Sequence, residues 1–191
     1  MTLSKIMDTT EGVHKPLGKY IFNNVQFSKF DPVVDKLRSA NYKVINHPTD
    51  PSGVLVTFPV KWDDVPFDKV DGKEVNLESA IDQLERYKMI QTSWTQQNTS
   101  VTISYDPSEV EDIKHWLLNN WDCYVGVSFL FRSDPTKTAK DLGYLYLPQE
   151  VVDEQTYQEY TQNLLPVDIN SANSFDEIVQ DDCSTGACPI K

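Results

Sequence analysis

The sequence predicts an α/β fold, and three observations carry that prediction. Short β-type runs alternate with helix-type runs along the first 165 residues. Asp-Pro pairs at Asp31-Pro32 and Asp106-Pro107 mark helix starts between those runs. One run, Val54 to Val60, is apolar on both of its faces, as a strand covered on both sides must be.

The elements follow in order. Residues 1–19 read as an irregular lead-in, and Tyr20 to Phe27 as a short strand. Asp31 then caps the free amides of a helix, Pro32 fits its first position, and Val34, Leu37 and Ala40 form its apolar face. Pro48 to Gly53 is a turn cluster. In the strand that follows, Val54, Val56, Phe58 and Val60 share one face, with Leu55 and Thr57 on the other. Lys61 to Lys73 reads as a polar, turn-rich connection.

A helix capped by Asn76 is predicted to run to about Trp94, with Ile81, Leu84, Tyr87 and Trp94 at helical spacing. Thr99 to Tyr105 is a strand, since Val101, Ile103 and Tyr105 alternate with Thr102 and Ser104. Asp106-Pro107-Ser108-Glu109 has the form of a capping box, opening a helix whose buried stripe is Val110, Ile113 and Leu117. Asn119-Asn120 closes it. Tyr124 to Phe131 is the clearest strand pattern, with Gly126 and Ser128 leaving room for another backbone or a ligand. Helical or packing positions place Trp94, Trp116 and Trp121 in the core. Tyr144 to Pro148 reads as a loop, and residues 150–164 as a last helix bearing Val152, Tyr157, Tyr160 and Leu164.

Composition narrows the function classes. The chain has 191 residues, of which 39% are apolar, enough to build a core. Its formal charge of −12 disfavours a nucleic-acid polymer as partner, because such a surface repels phosphate backbones. No run of about 18 apolar residues exists to span a membrane, and Met1 to Glu11 lacks the apolar core of a signal peptide. A cytoplasmic location is expected. There, three cysteines point to free thiols, a metal site or redox chemistry rather than a disulfide framework.

After Leu165 the composition changes. Pro166 to Asp182 is rich in Asn, Ser and Asp, with scattered apolar residues, and reads as a flexible tether. The expected organisation is therefore a folded portion, 1–165, and a tail, 166–191. The tail ends Cys183-Ser-Thr-Gly-Ala-Cys188-Pro-Ile-Lys191. Two thiols at this spacing can close a small disulfide loop, because Ser184 and Gly186 let the backbone bend. As a coil, the stretch from Pro166 to Cys183 spans about 20–25 Å. Three readings stand on spacing alone: incidental surface thiols, half of a zinc site, or a redox dithiol. The zinc reading needs ligands from Cys123, His14, His47 or His115, which lack ligand-like spacing. Asp181 and Asp182 disfavour the thiolate of Cys183, so a redox dithiol here resembles a carrier reduced by another protein.

This ending resembles the C-terminus of monomeric adenosylcobalamin-dependent ribonucleoside-triphosphate reductases, which close on a cysteine pair of this spacing, then Pro and a short basic end. Similar stretches recur upstream in the same order: Leu84-Glu85-Arg86-Tyr87-Lys88, Ser100 to Pro107, Trp116 to Arg132 (WLLNNWDCYVGVSFLFR), Asp134 to Ala139, and Asp141 to Val151 (DLGYLYLPQEV). The resemblance implies the C-terminal segment of the ten-stranded α/β barrel of ribonucleotide reductases, with Val101–Tyr105 and Val125–Phe131 as late strands. It implies a reaction in which cobalamin homolysis generates a thiyl radical and two active-site cysteines supply electrons to the ribose. Cys183 and Cys188 match the shuttle pair that re-reduces those cysteines and is recharged by a thioredoxin-type protein. Cys123, the remaining cysteine, matches no catalytic position and is expected to be a small, partly buried side chain.

The radical cysteine, the active-site pair and the effector region therefore have to come from an N-terminal portion of the reductase, as would most of the adenosylcobalamin site. The implied substrate is a ribonucleoside triphosphate. No metal-ligand set is expected in this chain. The alternative function is a non-catalytic binding module that associates with and modulates an intact reductase; a metal-binding module comes third.

Overall fold

The computed structural model describes residues 12–168. These fall into two compact units, one built from residues 12–20 and 61–137, the other from residues 21–60 and 138–168.

The first unit centres on a β-α-β succession. Helix α2 is Ala80–Ser93, strand β6 is Thr102–Tyr105, helix α3 is Val110–Asn119 and strand β7 is Ser128–Phe131. β6 and β7 pair in parallel, in the register Thr102↔Ser128 through Tyr105↔Phe131. Parallel neighbours need a crossover, and α3 supplies it. Residues Val13, Ala80, Leu84, Tyr87, Val101, Ile103, Ile113 and Trp116 form one buried cluster between the helices and β6.

The capping box is present: Asp106 accepts from the Ser108 amide, and Glu109 accepts from the Asp106 amide. A 3₁₀ turn, Pro107–Glu109, leads into α3. The stripe on α3 is Ile113 with Trp116, whereas Val110 and Leu117 are only partly covered.

Helix α2 begins at Ser79, whose hydroxyl accepts from the Asp82 amide, rather than at Asn76. The Asn76 side chain instead accepts from the Glu78 amide in a preceding turn and donates to the Lys15 carbonyl. Trp94, expected in the core, is 86% exposed because it sits at the C-cap, where the helical stripe no longer applies. Trp121 is 71% exposed for the same reason, lying beyond the Asn120 cap. Trp116 alone of the three is buried.

The connection read as polar and turn-rich, with the two residues after it, forms a hairpin of β4 (Asp68–Val70) and β5 (Lys73–Val75). Asp71 and Gly72 both have positive φ, 49° and 81°, the combination that a tight two-residue hairpin turn demands. The Tyr124–Phe131 strand shrinks to Ser128–Phe131 and the Thr99–Tyr105 strand to Thr102–Tyr105. Their upstream residues find other partners: the Val125 amide donates to the Tyr87 hydroxyl and the Thr99 amide to Gln91.

The second unit holds a four-stranded sheet in the order β2-β3-β1-β8, where β1 is Tyr20–Ser28, β2 is Val44–Asn46, β3 is Gly53–Lys61 and β8 is Gln149–Val151. The central strand β3 is covered on both faces as predicted, with Val54, Leu55, Val56 and Thr57 all buried. Helix α1 is Pro32–Ser39, capped by Asp31, with Val34 and Leu37 buried. Asn41 follows it at φ 68°, a left-handed position that Asn tolerates at helix ends.

The last helix, α4, is Glu154–Thr161 and starts at its cap Asp153, not at residue 150. Gln149–Val151 is strand instead, because it pairs antiparallel with Ile21–Asn23. The Tyr160 hydroxyl ties α4 to this sheet, donating to the Thr57 carbonyl (2.8 Å) and accepting from the Lys43 amide (2.9 Å). Burial is the main cause that pushes its pKa above the ordinary tyrosine value.

Candidate functional site: the β6–β7 pair and its carboxyl end

Cys183 and Cys188, the site residues expected from sequence, lie outside the described residues. Within them, the carboxyl ends of two parallel strands form the position where α/β folds most often hold function.

Alternation along each strand sorts the side chains. Ile103, Tyr105, Phe129 and Phe131 share one face, on which Tyr105 meets Phe129 and Phe131 at ring centroid distances of 6.1 and 4.9 Å. Thr102, Ser104, Ser128 and Leu130 share the other. That face is mostly hydroxyl-bearing, and Thr102, Ser128 and Leu130 are exposed on it. Gly126, just before β7, is also exposed. A Cβ there would meet only the Asn98 amide nitrogen, at 3.7 Å, so no close backbone enforces glycine within the described residues.

Charged groups gather where the strands end. Arg132 follows β7, and its Nη2 donates to the Glu78 carbonyl (2.6 Å), the Ser104 carbonyl (3.2 Å) and Glu109 Oε2 (3.2 Å). Glu109 Oε1 accepts from the Ala80 amide (2.8 Å), the first amide of α2. One carboxylate thus serves the N-termini of two helices and one guanidinium, an arrangement suited to the positive ends of helix dipoles. Glu78 in turn forms a two-pronged pair with Arg86, whose Nε donates to the Val13 carbonyl. The Ser108 hydroxyl and amide hold the Asp106 carboxyl below its ordinary pKa. Capping-box logic reveals Glu109 in the sequence, but nothing there shows that Arg132 and Ala80 share it.

The remaining expected residues are dispersed. Cys123 is a free thiol, partly buried against the core cluster of its unit, as expected. His14 Nε2 accepts from the Thr102 amide, and His47 Nδ1 accepts from the Asp50 amide. His115 is exposed on α3. No group of three His, Cys, Asp or Glu capable of holding a metal ion occurs among the described residues, and no helix among them is long and apolar enough to cross a membrane.

No family model matches the chain. Curated relatives do. An adenosylcobalamin-dependent ribonucleoside-triphosphate reductase of Levilactobacillus brevis is 27% identical over 202 residues, covering 100% of this chain and 25% of the relative. The enzyme of that name from Lactobacillus delbrueckii subsp. bulgaricus is 28% identical over 197 residues, with the same coverage. A probable adenosylcobalamin-dependent ribonucleoside-triphosphate reductase of Dictyostelium discoideum is 27% identical, over 99% of this chain and 24% of its own length. The crystal structure of a B12-dependent (class II) ribonucleotide reductase superposes with a TM-score of 0.74 at 21% identity, covering 94% of this chain and 23% of that one. By sequence and fold, this chain matches one quarter of an adenosylcobalamin-dependent ribonucleotide reductase. The mixed α/β architecture read from sequence is that of the class II enzyme over the matched span.

Open cavities among the described residues include ones of about 410 and 330 Å³. Both lie at the low end of the range for drug-sized ligands, and a corrinoid is far larger. The first is lined by Asp35, Lys36, Ser39 and Ala40 with residues 165–168, the second by Val13, His14, Lys15, Glu78 and Arg86 among others. Neither fits adenosylcobalamin, so no step through the cofactor falls to these residues.

Proposed function

We propose that the chain supplies the C-terminal barrel segment and the electron-carrying tail of a cobalamin-dependent ribonucleotide reductase that converts ribonucleoside triphosphates to 2′-deoxyribonucleoside triphosphates. The observation that carries the reading is the match of the whole chain to a quarter of the named reductases, on a sequence that ends in Cys183 and Cys188. Residues up to 165 act as part of the barrel, and residues 166–191 act as the arm. An N-terminal portion of the reductase provides the radical cysteine, the active-site pair and the cofactor site.

In this scheme the arm works by thiol–disulfide exchange. After each reduction the active-site pair is a disulfide. The thiolate of one tail cysteine attacks it, forming a mixed disulfide and releasing one active-site thiolate. The second tail thiolate then displaces the other active-site sulfur. Two electrons and two protons pass to the active-site pair, leaving a Cys183–Cys188 disulfide. A thioredoxin-type dithiol reverses that state by the same exchange.

The described end of the chain supports the reading. The Leu165 amide donates to the Ala40 carbonyl (3.1 Å), and Asn41 Nδ2 donates to the Asn163 carbonyl (2.8 Å). The root of the arm is thus fastened to the C-terminal end of α1.

The test combines the chain with the N-terminal portion of a reductase and follows cobalamin-dependent deoxyribonucleotide formation. Cys183→Ser and Cys188→Ser are expected to stop turnover driven by thioredoxin while sparing a single turnover of the prereduced enzyme. Normal thioredoxin-driven cycling by either variant would remove the shuttle assignment.

A further inference from the structure

The 330 Å³ cavity of the first unit combines a fixed arginine with a lysine that no described carboxylate claims. Its lining includes Lys15, Arg86 and Glu78, with Val13, Pro16, Val65 and Pro66 as an apolar wall. Arg86 and Glu78 answer each other. Arg86 Nη1 donates to Glu78 Oε1 at 2.7 Å, Nη2 donates to Oε2, and Nε donates to the Val13 carbonyl at 2.8 Å. Both Glu78 oxygens are thus committed, and the two charges cancel. A guanidinium carries five N–H groups, so some donors of Arg86 remain unused by the described residues.

Lys15 is placed differently. It is half-buried, and its Nζ sits 5.2 Å from the centroid of the Phe67 ring. Among the described residues no carboxylate pairs with it. The backbone that carries it is fastened: its carbonyl accepts from Asn76 Nδ2 (3.3 Å), and the Leu17 carbonyl accepts from the Asn76 amide (2.8 Å). In a chain with 29 Asp and Glu against 17 Lys and Arg, partners for a lysine are plentiful. One held over an aromatic ring at a cavity wall, with its ammonium donors unused by the described residues, presents its charge to a ligand.

The balance of charge selects that ligand. Arg86 and Glu78 sum to zero and Lys15 adds one positive charge, with histidine counted as neutral. Asp64 and Asp68 flank the Val65–Phe67 stretch and oppose a second negative charge on the ligand. A phosphate monoester carries about −1.5 to −2 at pH 7. A carboxylate carries one.

We propose that this cavity binds a small organic monocarboxylate: Lys15 neutralises the carboxylate, the unused N–H groups of Arg86 orient it, and Val13, Pro16, Val65 and Pro66 cover its apolar body. Binding here involves neither Cys183 nor Cys188, so it is separable from the reading above.

Benzoate serves as the probe, with benzyl alcohol and benzylamine as its neutral and cationic counterparts. NMR titration of the full 191-residue chain follows the Val13 and Val65 methyls and the Lys15 ε-methylene. Benzoate is expected to shift these signals saturably, with a Kd on the order of 1–10 mM, as a ligand of about nine non-hydrogen atoms allows. Benzyl alcohol is expected to bind about 5-fold more weakly, the contribution of one partly exposed ion pair. Lys15→Gln should erase that difference and Lys15→Arg should keep it. Cys183→Ser should titrate like wild type.

Shifts that stay linear up to about 50 mM benzoate would overturn the proposal. So would equal binding of benzoate and benzyl alcohol, or a Lys15→Gln chain that retains their difference. Tighter binding of benzylamine would assign the cavity to Glu78 and a cation instead. Phenyl phosphate binding more than about 10-fold tighter than benzoate would assign it to phosphate monoesters. The comparisons among probes use the wild-type chain, so they decide the matter even where Lys15→Gln disturbs folding.

Discussion

Replacing Glu109 by Gln isolates the network at the carboxyl end of β6 and β7. Both carboxylate oxygens accept: Oε1 from the Ala80 amide at 2.8 Å, and Oε2 from the Asp106 amide at 2.8 Å and from Arg132 Nη2 at 3.2 Å. Glutamine offers one acceptor and one NH₂. Whichever way the amide turns, its NH₂ meets another donor, so at least one partly buried N–H loses its partner. Such a loss costs about 1–3 kcal/mol. The Glu109 and Arg132 side chains remain 18 and 20% exposed, so water softens the loss to about 1–2 kcal/mol. Glu109→Ala removes all three bonds and is expected to cost about 3 kcal/mol. Urea unfolding followed by tryptophan fluorescence measures both, and a double-mutant cycle with Arg132→Met measures the coupling. A coupling of at least about 0.5 kcal/mol is expected for directly interacting residues. A Glu109→Gln change within about 0.3 kcal/mol of wild type, with an additive cycle, would show that this carboxylate joins nothing.

Two further outcomes are expected. Tyr87 is fully buried, its hydroxyl donating to Asn98 (3.2 Å) and accepting from the Val125 amide (3.3 Å). Tyr87→Phe should destabilise by about 1–2 kcal/mol and speed hydrogen exchange at Val125; an unchanged Val125 amide would refute that anchoring role. Acid should also loosen the helix starts. The Thr156 amide and hydroxyl hold the Asp153 carboxyl below its ordinary pKa, as Ser108 does for Asp106. The unfolded chain therefore binds these protons more readily, so the stabilisation is complete above about pH 4–5 and fades as pH falls through the lowered folded values. Asp153→Asn keeps a good cap without titrating. Its urea midpoint should fall less steeply between pH 5 and 3 than wild type, and an identical slope would count against the assignment.

Local chemistry made much of this fold legible. Asp31, Asp106 and Asp153 sit at helix starts, where a short acceptor beside free amides has few alternatives, and the first two were readable directly from their Asp-Pro pairs. The double-sided apolar run of β3 could only be a covered strand. The Asp71-Gly72 turn carried an equally local signal, and the polar composition around it concealed the hairpin. Residues 150 and 151 looked helical because the helix they precede shares their composition; pairing of Gln149–Val151 with Ile21–Asn23 makes them strand.

The sequence by itself determined the α/β class, the caps at Asp31 and Asp106, the family resemblance and the cysteine pair at Cys183 and Cys188, because each depends on neighbours a few positions apart or on a string of residues in order. Only the tertiary structure decided that Gln83 takes the Ser104 amide and His14 the Thr102 amide on the outer side of β6, and that Glu109 serves Ala80 and Arg132 together. Those contacts join residues 21, 88, 29 and 23 positions apart. Backbone hydrogen bonds are directional but carry no residue identity. Which of them a distant side chain satisfies is therefore written in the packing of the helices and not in the order of the letters.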